Sequence, residues 1–239
     1  MNSDLHLGTW ISTGSPAVAE LAALCGLDWI LLDLEHGCES EAAVPGQLRA
    51  LRGTATQGIV RVGAPHADLI GRVLDWGAAG VMVPHVESAA AAEAIVQAAY
   101  HAPRGRRGFA RTVRACDYGL RPAESKARPL LQAQIETVAG VHACAEIAAV
   151  DGIDVLFVGP ADLQHDLGRL GAAAPFDYAA CLKRVAEAAH AAGKAAGILL
   201  RDAADLARHR ELGYGHIAVD SDLSILRKAW TGSVTVARG

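Results

Sequence analysis

Four polar side chains stand where apolar runs of this sequence end: His36 after WILLDLE, Arg61 within GIVRV, Glu136 closing LLQAQIE and Asp162 after VLFVGPA. Asp33 and Glu35 flank the second run, and Gln134 lies two residues before Glu136, on the same side of an extended chain. Two carboxylates without a neighbouring His or Cys ligand suit a hard cation, Mg²⁺ or Mn²⁺, with positions left open for water and substrate. Such a site is a Lewis acid. It polarises a 2-oxo group and stabilises the enolate formed when a proton leaves the neighbouring carbon. The rival device for the same chemistry is a lysine Schiff base. The four lysines are Lys126, Lys183, Lys194 and Lys228, and none is expected at the C-terminal end of a strand.

Each of these residues also has a plainer reading. His36 can be a surface or capping residue, and Glu136 can cap the helix that follows it. Asp162 can be the N-cap of a short helix over 163–168. Arg61 in an apolar strand needs an anionic partner and can be one half of a structural salt bridge.

The elements that must position them alternate. Strands are expected at 8–11, 29–34, 58–62, 80–84, 130–136, 155–159, 195–200 and 216–220, as near-continuous apolar runs that suit parallel strands buried on both faces. Helical patterns at 16–24, 67–76, 88–99, 137–149, 178–191 and 202–212 separate them. Ser15, Ser88 and Asp202 stand at N-cap positions, and Gly26, Gly193 and Gly213 follow helical runs. Eight strands with intervening helices predict one (β/α)8 TIM barrel over 1–239; an open doubly wound sheet is the alternative. A barrel gathers its chemistry at the C-terminal strand ends, so His36, Arg61, Glu136 and Asp162 should share one rim. The last two strand ends lack the glycine-rich turns that cradle phosphate, which favours a non-phosphorylated substrate. One long connection, 100–128, contains PRGRRGFARTVRACDYG.

Composition narrows the class. The 239 residues are 51% hydrophobic with a formal charge of −4 and no run of like charges, which gives no reason to expect nucleic acid or a membrane surface as partner. The N-terminus has no signal-peptide pattern, and no segment is long enough to span a bilayer. The five cysteines are widely spaced without a CxxC, as expected of reduced thiols in a cytoplasmic protein.

The segments GLDWILLDLEHG, IVRV, VLDWGAAGVMVPHVES, PRGRRGFA, QIET and LFVGPADL together resemble the HpcH/HpaI aldolase family, in order and over nearly the whole chain. QIET and GPAD are shared with the wider pyruvate-enolate superfamily, whereas EHG and the Arg61 strand are more specific. The resemblance implies a TIM-barrel class II aldolase, dependent on Mg²⁺, Mn²⁺ or Co²⁺, that cleaves a 4-hydroxy-2-oxo acid to pyruvate or hydroxypyruvate and an aldehyde. It implies that Glu136 and Asp162 hold the metal and that His36 is the general base. Arg61 would bind the 2-oxo acid and stabilise the enolate, while Gln134 with backbone groups of Ala161 and Asp162 would contact the pyruvyl moiety. Asp75 of VLDWG would raise the basicity of the histidine. Asp75, however, is expected at the end of a helix before strand four, at the foot of the barrel, so either that helix ends early or a neighbouring subunit of an oligomer, typically a hexamer, supplies it. A citrate-lyase-β-like enzyme acting on a coenzyme A thioester and a non-catalytic binding barrel are the alternatives.

Overall fold

The computed structural model describes residues 5–121 and 128–239. Eight parallel strands close on themselves in sequence order: His6–Ile11 (β1), Trp29–Asp33 (β2), Gln57–Arg61 (β3), Gly80–Val83 (β4), Leu130–Ile135 (β5), Val155–Val158 (β6), Ala195–Leu200 (β7) and His216–Ser221 (β8). The helices are Pro16–Leu24 (α1), Val44–Ala50 (α2), Ala67–Asp75 (α3), Ala89–Ala99 (α4), Val138–Ala149 (α5), Pro160–Leu170 (α6), Tyr178–Ala191 (α7), Leu206–Glu211 (α8) and Asp222–Arg238 (α9). This is a (β/α)8 barrel with an additional helix, α6, between β6 and α7.

Local chemistry sets the helix starts. Ser15, Ser88, Thr137 and Asp177 each accept a backbone N–H of the first turn of the helix they precede. Asp202 caps a short 3₁₀ turn, Ala203–Asp205, so the expected helix over 202–212 becomes that turn followed by the shorter α8.

Alternation along the strands divides the core into two apolar bodies. Outward residues such as Ile30, Leu32, Val60, Val81, Leu156 and Ile198 pack under the helices. Inward residues form a separate plug of Trp10, Trp29, Leu31, Ile59, Met82, Val155, Phe157 and Ala218. Trp29 meets Phe157 edge-on with centroids 6.1 Å apart and stacks on His216 at 4.3 Å, the spacings at which rings attract beyond their area alone. His216 in turn lies 3.0 Å from the Gln132 side chain inside the barrel, and burial pushes its pKa down to about 3, so it stays neutral. The plug has room for its rings only because two inward positions carry no side chain: a Cβ at Gly8 would come within 2.3 Å of Trp29, and one at Gly197 within 2.4 Å of Phe157.

Of the connection 100–128, the described part is tied to the N-terminal end of the barrel by Arg114, which donates to the carbonyls of Trp76 and Leu48, both at 2.8 Å. Lys126 lies outside the described residues. Among those described, no helix is long and apolar enough to cross a membrane, and the cysteines are free thiols.

Candidate active site at the C-terminal rim

Above the plug, the next inward residues are polar. Asp33 ends β2 and Arg61 ends β3, paired in register. Arg61 donates from Nε to Asp33 Oδ1 at 2.8 Å and from Nη2 to Asp33 Oδ2 at 2.7 Å, a two-pronged pair with both side chains buried. Its Nη1 lies 2.8 Å from Glu35 Oε2, and the guanidinium sits 5.7 Å from the Trp10 ring. Burial works against the charge, but the Asp33 hydrogen bonds and the carboxylates of Asp33, Glu35 and Glu136 outweigh it and hold Arg61 above the usual arginine range. The salt bridge expected for a buried arginine is therefore present. Two of the Arg61 guanidinium N–H groups are hydrogen-bonded to Asp33, while Nη1 makes an ion-pair contact with Glu35.

Glu136 follows β5 and is buried. Gln134 Nε2 donates to its Oε2 at 2.5 Å, as the shared side of the strand requires, while Gln134 Oε1 is buried without a partner. Oε1 of Glu136 accepts the backbone N–H of His85 at 2.8 Å and lies 3.1 Å from the His85 ring Nδ1. Burial pushes the Glu136 carboxyl up to about 7; Glu35 and Asp162 add repulsion, and His85 opposes the rise. A Cβ on Gly159 would lie 2.6 Å from Glu136 Oε2 and 2.8 Å from Gln134 Nε2, so the close approach of β6 requires glycine there.

Asp162 sits in the first turn of α6, after Pro160 and the exposed Ala161. The first N–H groups of a helix have no partner within it and face any anion placed at its N-terminus. Glu136 and Asp162, with Gln134 Oε1 buried and unpartnered beside Glu136, fit a hard cation: the two carboxylates repel each other, and oxygen donors are what such an ion takes. No group of three or more His, Cys, Asp or Glu with metal-site geometry occurs among the described residues.

His36 lies on the turn after β2, exposed, with its backbone N–H 3.3 Å from Asp33 Oδ1. Asp75 ends α3, and its Oδ1 accepts a 2.5 Å hydrogen bond from Arg107 of the long connection. It stands at the foot, below the start of β4, whereas His36 stands at the rim.

Three features escaped sequence reasoning. His85 holds a left-handed backbone, φ 53°, that turns both its N–H and its ring toward Glu136. A histidine directly after VMVP is the same strand-end signal that exposed His36, and it could have been read. Glu39, three residues past His36, packs on Gly14 and accepts from Gln47 Nε2, while Glu39 Oε1 and Gln47 Oε1 are both buried without a partner. Burial pushes this carboxyl up to about 7. Lys228 belongs to α9, yet its ammonium reaches the rim, 2.6 Å from Asp220. The sequence analysis expects it at no strand end, and it is at none; spacing alone did not reveal its reach from a helix to the rim. A cavity of about 880 Å³ at the N-terminal end, lined by Arg52, Arg114, Leu130 and Asp154, contains none of the rim residues.

The family model for HpcH/HpaI aldolase/citrate lyase matches residues 6–229. The chain belongs to the HpcH/HpaI aldolase/citrate lyase family. It is 39% identical over 236 residues to a hydroxypyruvate/pyruvate aldolase of Paraburkholderia phytofirmans, covering 95% of this chain and 91% of the relative. It is 45% identical over 204 residues to a 4-hydroxy-2-oxovalerate aldolase of Novosphingobium aromaticivorans, covering 83% and 77%. An HpcH/HpaI family crystal structure from Burkholderia cenocepacia superposes with a TM-score of 0.92 at 36% identity, over 99% of this chain and 96% of that one. As an HpcH/HpaI family member, the chain is a carbon–carbon lyase of the aldolase type.

Proposed function

We propose that this enzyme reversibly cleaves a 4-hydroxy-2-oxo acid into pyruvate or hydroxypyruvate and an aldehyde, with a divalent cation held by Glu136 and Asp162. The observation that carries the reading is the shared rim: Arg61 at the end of β3, the Glu136–Gln134 pair at the end of β5 and the N-terminus of α6 after β6 stand at the C-terminal ends of the strands. When bound, the cation supplies Lewis-acid polarisation of the keto group.

The protein's own residues do the rest. Backbone N–H groups of Ala161 and Asp162 receive the substrate carboxylate, and the free amide oxygen of Gln134 orients the pyruvyl end. Asp33 and Glu35 hold the Arg61 guanidinium in place before substrate arrives, so its positive charge meets the negative charge that develops on the keto oxygen as C3–C4 breaks. His36 takes the proton of the C4 hydroxyl. The aldehyde then leaves, and the enolate is protonated to pyruvate.

Chelation is expected to abolish turnover, and Mg²⁺, Mn²⁺ or Co²⁺ to restore it. Full activity in excess chelator, or pyruvate trapped on a lysine by borohydride, would overturn the reading.

The assembly proposed is an oligomer, a hexamer on the family pattern, in the cytoplasm, in which a neighbour's foot brings Asp75 to His36. The foot position of Asp75 supports it, as do Leu223, Ile225, Trp230 and Val234 of α9, all exposed on the isolated chain. Mixing inactive His36→Ala and Asp75→Ala proteins under subunit exchange should restore part of the activity. No restoration would place both residues in one subunit.

A further inference from the structure

Strand β4 lies between β3, which ends in Arg61, and β5, which Glu136 follows. It leaves the barrel through a particular backbone. Val83 ends the strand, Pro84 follows, and His85 then takes φ 53°. Few residues with a Cβ occupy that region, and such conformations persist where the surroundings over-determine them. Here two consecutive N–H groups do so. His85 donates to Glu136 Oε1 at 2.8 Å and Val86 to the Gln134 carbonyl at 3.1 Å, so the turn is stitched to the end of β5.

The side chain continues what the backbone begins. His85 Nδ1 lies 3.1 Å from Glu136 Oε1, and Nε2 lies 3.7 Å from Glu35 Oε1. Glu35 in turn reaches Arg61 Nη1 at 2.8 Å through its other oxygen. The imidazole thus stands between two acids, one backing the guanidinium and one proposed to hold the cation. At 59% exposure the ring has little packing to keep it there, and its polar neighbours do so instead. Glu136 Oε2 meanwhile accepts from Gln134 Nε2 at 2.5 Å. The carboxylate is therefore approached on one oxygen from β4 and on the other from β5.

We propose that His85 is a positioning residue: its ring holds the Glu136 carboxylate in the orientation that receives the divalent cation. The proposal rests on the reading of Glu136 as a metal ligand. A carboxylate left free to rotate must be ordered when the ion arrives, which subtracts from affinity, and a neighbouring donor that orders it in advance removes that cost. The imidazole tautomer with its proton on Nδ1 supplies such a donor.

The test separates the ring from the backbone. His85→Gly keeps the N–H bond to Glu136 and accepts the left-handed conformation, so only the ring is lost. His85→Asn tolerates the same conformation and retains a short donor. Mn²⁺ titrations of the full chain are followed by electron paramagnetic resonance, with thermal melts by circular dichroism in parallel. His85→Gly should fold as wild type does and bind Mn²⁺ about tenfold or more weakly, the usual scale for groups that orient metal ligands. His85→Asn should recover part of that loss. Affinity in His85→Gly equal to wild type, even with a lowered melting temperature, overturns the proposal. Tighter binding also overturns it, because the ring would then compete with the ion. Failure of the metal reading is separately visible, as Glu136→Gln protein that binds Mn²⁺ like wild type.

Discussion

Glu39 and Gln47 meet through one hydrogen bond and leave Glu39 Oε1 and Gln47 Oε1 both buried and unpartnered, a mismatch that a single proton on Glu39 can remove. A neutral Glu39 donates to Gln47 Oε1 while Gln47 Nε2 donates back, closing a two-bond ring on the turn that carries His36. The ionised form faces Asp33 and Asp222 instead. Moving this carboxyl from its ordinary 4.5 to about 7 corresponds to at most about 3.4 kcal/mol at roughly 1.36 kcal/mol per pH unit. The group is only half-buried, and solvent screening reduces this to about 1–2 kcal/mol. The sign follows from proton uptake. Between pH 4.5 and 7 the folded protein binds the proton and the unfolded chain does not, so the stabilisation is complete below 4.5 and lost as pH rises through about 7. Glu136 titrates in the same direction over the same range, so the perturbation must isolate one of them. Glu39→Gln mimics the neutral acid at every pH. Urea unfolding of wild type and Glu39→Gln at pH 5.5 and 8.5 should show wild type losing about 1 kcal/mol more than the variant between the two, since part of the stabilisation is already lost at pH 5.5. Parallel losses in both proteins would refute the shared-proton pair.

Three further outcomes follow from the rim. Gly159→Ala places a methyl within 2.6 Å of Glu136 Oε2, and should weaken Mn²⁺ binding, read by electron paramagnetic resonance, by about tenfold or more while the barrel stays folded by circular dichroism; unchanged affinity would mean that Glu136 is not a ligand. Arg61→Lys should slow both aldol cleavage and pyruvate methyl-proton exchange by about 100- to 1,000-fold, because an ammonium cannot reproduce the fork held by Asp33. His36→Ala should cripple cleavage by roughly 100- to 10,000-fold and retain pyruvate binding. Near-normal exchange in Arg61→Lys, or near-normal cleavage in His36→Ala, would show the two roles to be misassigned.

All eight strands were legible because buried parallel strands are written as unbroken apolar runs, and their ends fell within two residues of those observed. Helices α2 and α9 were not. The first is seven residues long and opens on Pro45 and Gly46; the second ends in TGSVTV, whose glycine and β-branched residues conceal a helix from propensity alone. At the rim, residue type plus strand-end position was enough for Glu136, Gln134, Arg61 and Asp162. It was not enough for the partnership of Arg61 with Asp33, which depends on the neighbouring registers of β2 and β3. Nor could sequence spacing reveal the Glu39–Gln47 contact, since it joins a turn to a helix through side-chain direction alone.

The plug under the rim has an evolutionary consequence. Gly8 and Gly197 are cut to the outlines of Trp29 and Phe157, so changing any of the four demands a matching change in another, and single-step variation there meets a steep barrier. The mouth above is not interlocked in this way: His36 and Arg201 are both exposed. Exposed positions of the upper tier can therefore change one residue at a time, while the same rigid floor leaves the buried Asp33–Arg61 pair undisturbed.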